Sequence, residues 1–75
     1  MISNETKRVI DIVINMMHVH EQLAVEFIER AQSEKDVETC KIYTKLAMEQ
    51  NAKLQTCTRI LELINHEIKT YGGAN

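Results

Sequence analysis

Between Ser3 and Tyr71 the chain contains no residue that obliges a helix to stop. Proline is absent, and the only two glycines, Gly72 and Gly73, stand near the very end. Proline removes a backbone donor and glycine adds backbone freedom, so these two residues are the usual punctuation between elements. A chain without them is free to be helical almost throughout, and the spacing of its apolar residues then decides how the helices are arranged.

That spacing changes phase once. In the first half Val9, Val13, Met16, His20, Leu23 and Phe27 recur at alternating intervals of four and three, and Ile10, Met17, Ala24, Ile28 and Ala31 widen the stripe. In the second half Cys40, Tyr43, Ala47, Gln50, Leu54, Cys57, Leu61, Ile64 and Ile68 repeat the pattern in a new phase. One uninterrupted helix would carry Glu34, Glu38, Lys41 and Lys45 onto the first seam, where a coiled coil needs apolar side chains. A turn at about 33–36 removes that conflict. The expected fold is an all-α antiparallel two-helix hairpin forming a single domain over 1–75, with helix 1 at about 4–32, helix 2 at about 37–71 and a flexible tail at 72–75.

Local signals agree. Ser3 or Asn4 opens the first helix, and Ser33-Glu34-Lys35-Asp36 fits a capping box for the second, with Asp36 as an alternative N-cap. Gly72 suits a left-handed C-terminal stop. Helices of roughly 30 and 36 residues would be about 45 and 54 Å long. Pairing residues whose numbers sum to about 70 stacks the hairpin in layers: Phe27 with Tyr43, Ala24 with Leu46, Met16 with Leu54, Val13 with Cys57, Val9 with Leu61. One layer is polar, with His20 facing Gln50 and Glu21 level with Glu49 on the flank.

A chain of 75 residues buries little surface unless it is stapled or associates. Cys40 and Cys57 on one straight helix would lie about 25 Å apart, far beyond the reach of a disulfide; they read as thiols of a reducing compartment, and the expected location is cytoplasmic. No apolar run is long enough for a bilayer and no leader pattern is present, so no membrane partner is expected. A net charge of −2 and three aromatic residues offer neither a basic field nor stacking platforms, so no nucleic acid is expected either. The apolar stripes are wider than one partner helix covers. Two hairpins packed face to face as a four-helix bundle are the simplest remedy, making the chain its own expected partner. Val13, Met16, His20, Phe27, Tyr43, Gln50, Leu54, Cys57 and Leu61 form the expected core and dimer seam.

Two stretches resemble the strokes of a ferritin-like, rubrerythrin-type hairpin: Glu21 with Ala24, Phe27 and Ala31, and then Leu46-Ala47-Met48-Glu49-Gln50-Asn51-Ala52. The similarity spans about Glu21 to Leu54. In that family a Glu on one helix meets a Glu-x-x-His on its partner to hold iron, and here Ala52 stands in the histidine's place. The resemblance implies half of a four-helix bundle completed by a second copy, with iron or manganese as the alternative to no cofactor. It points to Glu21 and Glu49 as metal ligands. His18, three residues before Glu21, shares a face with it and supplies the nearest imidazole.

Each of these residues also has a purely structural role available. Glu49 has Lys45 and Lys53 four residues to either side, a pattern of surface ion pairs. His20 opposite Gln50 suits a register-fixing polar layer. His66 follows Glu62 by four near a helix C-terminus, where a cation is favoured. No thiol has a neighbouring base, Ser3 and Ser33 are capping residues, and no glycine-rich loop cradles phosphate, so the chain is not expected to be an enzyme. Three functions fit this pattern: a non-catalytic homodimeric helical bundle acting as an adaptor, regulator or scaffold; a ferritin-like metal-binding protein with its site formed across a dimer; and a helical clip completed by another protein.

Overall fold

The computed structural model describes residues 3–72, which form two long helices packed antiparallel. Helix α1 spans Asn4–Ser33 and α2 spans Val37–Glu67, continuing into a wider π-helical turn at Ile68–Gly72. The molecule is a rod of 58 × 17 × 12 Å. Among the described residues no helix is long and apolar enough to cross a membrane.

Each helix start has a specific cap. Ser3 holds extended backbone angles and its side chain accepts from the Thr6 N–H at 3.1 Å, which satisfies one of the free donors of the first turn. Asp36 does the same for α2, accepting from the Thr39 N–H at 3.0 Å and from the Thr39 hydroxyl at 2.6 Å. These hydrogen bonds to Thr39, the hydroxyl's first, hold the Asp36 carboxyl below the usual aspartate range. The expected capping box at Ser33 does not form. Ser33 is instead the last residue of α1, where its hydroxyl donates back to the carbonyls of Glu29 and Arg30. Glu34 supports the turn by accepting from the Asp36 N–H at 3.1 Å. A turn of this length puts the cap on the residue directly before α2, leaving Ser33 a full turn too early.

The far end also differs from expectation. Helical winding runs through Gly72, and no glycine among the described residues takes a positive φ. The tail beyond Gly72 lies outside the described residues.

Three contacts fix the pairing of the helices. The rings of Phe27 and Tyr43 stack with centroids 6.3 Å apart, His20 bonds Gln50, and the Cys40 thiol donates to the Ala31 carbonyl at 3.2 Å. Val13, Ala24, Ala47 and Cys57 are the buried residues between them. Ala24 and Ala47 place almost no side chain between the backbones near the middle, which permits close approach. Both cysteines are free thiols, Cys57 buried and Cys40 half-buried.

The seam of α1 runs through Ile10, Val13, Met17, His20, Ala24, Phe27 and Ala31, all buried or half-buried. It does not run through Met16, which is 46% exposed, or Val9, 48% exposed. Apolar residues occur in adjacent pairs on this helix, 9 with 10, 16 with 17 and 23 with 24, so two seams compete. The one that is buried holds the small residues Ala24 and Ala31, which let the backbones approach closely. Along α2 the threonines tolerate a helix interior because Thr44, Thr56 and Thr58 each return their hydroxyl to a carbonyl four residues earlier.

Candidate functional site

The hairpin has two unlike broad faces, and the pairing contacts define them. His20 with Gln50 and Phe27 with Tyr43 mark one edge of the seam, while Ala31 with Cys40 marks the other.

Beside the first edge lies a second apolar stripe. Val9, Ile12, Met16, Val19 and Leu23 follow one another at intervals of three and four along α1, and all but the half-buried Leu23 are exposed. On the same side of α2, Ile42, Leu46, Ile60 and Leu63 form two apolar pairs, separated by Glu49, Lys53 and Thr56. Of these four only Leu46 is half-buried; Leu63 is 53% exposed. At the turn end the Arg30 guanidinium lies 5.9 Å from the Tyr43 ring centre, a cation–π contact that closes this face.

The opposite face carries fewer apolar residues, with Ile14, Val25, Ile28 and Met48 exposed among polar side chains. Near the turn it carries an open groove of about 410 Å³ whose walls include Ile28, Cys40, Thr44, Ala47, Met48 and Asn51.

Between the faces sits the polar layer. His20 Nδ1 lies 2.7 Å from Gln50 Oε1, and because an amide oxygen only accepts, Nδ1 carries the proton and donates. Both side chains are half-buried, and no buried side-chain polar atom among the described residues is left without a partner.

The residues expected to hold metal are not brought together. His18, Glu21 and Glu49 are all exposed, and among the described residues no group of three His, Cys, Asp or Glu side chains could hold an ion. Glu21 follows Met17 by four and precedes Ala24 by three, which puts it on the flank beside the Ala31–Cys40 edge. Glu49 lies between Leu46 and Lys53 on the opposite flank. The two carboxylates stand level along the rod, as counting suggests, but a 3.6-residue repeat turns them to opposite sides of the seam. Ala52 is likewise exposed. Residue counting assigns Val9, Met16 and Leu23 to the seam, whereas the structure sets them with Ile12 and Val19 in a separate stripe beside it. Its signal is present in the sequence as the doubled apolar positions of α1.

The fold and its surfaces define an all-α helical hairpin with one broad, exposed apolar face. Compared with protein-family models, curated proteins and solved structures, the chain matches none.

Proposed function

We propose that the protein is a non-catalytic homodimeric helical bundle that acts as a small scaffold or adaptor through its helix faces. The observation that carries this reading is the uncovered stripe Val9, Ile12, Met16, Val19 and Leu23. Four of its members are 46–58% exposed, although each large aliphatic side chain, fully buried, would contribute about 1.5–3 kcal/mol. Among the described residues only four are buried, so one copy alone holds a thin core. The stripe from Val9 to Leu23 is about 21 Å long on a rod of 58 Å, so it supplies the centre of an interface along the helices. A second copy brings an equally apolar surface and needs no other gene product.

Light scattering of the purified chain tests this. The expected result is twice the 8.7 kDa chain mass at micromolar concentration, falling to the single-chain mass in Val19→Lys. A native chain that is monomeric, unstable and rescued only by another protein would favour the partner-completed clip instead. A monomeric chain that folds cooperatively would refute both.

A further inference from the structure

Three apolar pairs and one charged pair of this face repeat in reverse order along the rod, and from this we infer the geometry of the dimer: the second copy packs antiparallel, α1 on α1 and α2 on α2, about a twofold axis perpendicular to the helices. This inference rests on the homodimer reading above and adds the orientation and register to it.

An isologous interface requires a patch that complements its own reversed image. On α1, reversal brings Ile12 against Leu23 of the second copy and Met16 against Val19, which sets the axis between Met16 and Val19; Val9 then falls level with the exposed Glu26 at the margin of the contact. On α2, reversal brings Ile42 against Ile60 and Glu49 against Lys53, which sets the axis between Glu49 and Lys53. These two midpoints are read from different helices. In the hairpin, where His20 stands level with Gln50, they lie within about 2 Å along the rod. One axis therefore serves both helices.

Charge selects this register. Glu49 and Lys53 interrupt the apolar residues of α2, and neither joins an ion pair within the hairpin; the ion pairs among the described residues are Lys41 with Glu38 and Arg59 with Glu62. In the antiparallel dimer each Glu49 meets a Lys53 from the other copy, twice by symmetry. A register one step along would set Lys53 against its own copy on the axis. The other way to face two hairpins keeps each level fixed and lays α1 on α2. It would press Glu49 and Lys53 against Met16, Val19 and Leu23, burying charges among apolar side chains without partners.

The test combines two measurements. First, nitroxide labels are placed singly at Arg8→Cys, Asn15→Cys or Glu29→Cys, all exposed positions along α1, in a chain carrying Cys40→Ala and Cys57→Ala. The antiparallel twofold gives axial separations of about 8 Å for the Asn15 pair and about 30 Å for the outer pairs. The distance between labels should be shortest at Asn15 and more than about 10 Å longer at both ends. Equal distances at all three sites would overturn the antiparallel geometry while leaving the dimer standing. No intermolecular distance, with single-chain mass, would overturn the dimer itself.

The second measurement keeps the native cysteines, in case the substituted chain does not fold. Glu49→Lys and Lys53→Glu should each weaken the dimer about tenfold by setting like charges across the axis. Mixed together they should form a heterodimer well beyond the statistical half, because every cross-axis pair is then opposite in charge. A statistical mixture would overturn the Glu49–Lys53 register.

Discussion

His20 Nδ1 donates to Gln50 Oε1 across the helix interface at 2.7 Å, joining the middle of α1 to the middle of α2. A polar pair in an otherwise apolar seam contributes little net stability but penalises sliding, since any shift of one helix leaves both groups without partners. Gln50→Leu alone should therefore cost about 1 kcal/mol by stranding the half-buried imidazole N–H. His20→Leu combined with Gln50→Leu should recover that loss and exceed native stability. The double variant should also associate less uniquely, visible as several species in native mass spectrometry. Denaturant titration of both single variants and the double checks the coupling.

Ala24 and Ala47 set the separation of the helices. Each is less than a tenth exposed in a seam that, Ala31 apart, holds larger side chains elsewhere. Ala47→Leu should push the backbones apart and cost about 1–3 kcal/mol, whereas the same change at exposed Ala52 should fall within about 0.5 kcal/mol of native. Thermal melts of the two variants provide the comparison. A tolerant Ala47 would mean that the close central approach is not a constraint.

Asp36 makes the start of α2 sensitive to acid. Its folded carboxyl titrates below the unfolded value, because the Thr39 hydroxyl and then the Thr39 N–H bond the charged form. The unfolded chain therefore binds more protons in the interval between the two values. The stabilisation is complete above the unfolded value of about 4 and disappears as pH falls through the folded one. Asp36→Asn keeps an accepting oxygen at the cap without the titration. Stability of native protein relative to Asp36→Asn, followed by urea unfolding from pH 6 to pH 2, should be constant above about pH 5 and fall below it.

Much of this architecture is legible in the sequence, and the boundary of what is legible has a physical cause. The hairpin follows from the phase break, since charges at Glu34, Glu38, Lys41 and Lys45 forbid one continuous seam. The facing of Phe27 and Tyr43, and of His20 and Gln50, follows from counting outward from the turn. The rotation of α1 does not follow as readily. With apolar residues doubled at 9 and 10, 16 and 17, and 23 and 24, the pattern supports two seams, and the structure buries the one that holds Ala24. Ser33 and Asp36 are both competent caps by residue type; which one serves depends on where the turn ends. For the candidate metal ligands, level along the rod is readable from residue number, but the flank is not readable until the seam is fixed. Glu21 and Glu49 pass the first criterion and stand on opposite flanks.

The dependence of the melting temperature on protein concentration tests the central claim most directly. If the stripe from Val9 to Leu23 is covered by a second copy, folding is linked to association, and the midpoint should rise steadily as concentration is raised from about 1 to 100 μM. Met16→Lys should lower the midpoint and flatten that dependence. A cooperative transition whose midpoint is the same at every concentration, from a particle of 8.7 kDa, would contradict the account.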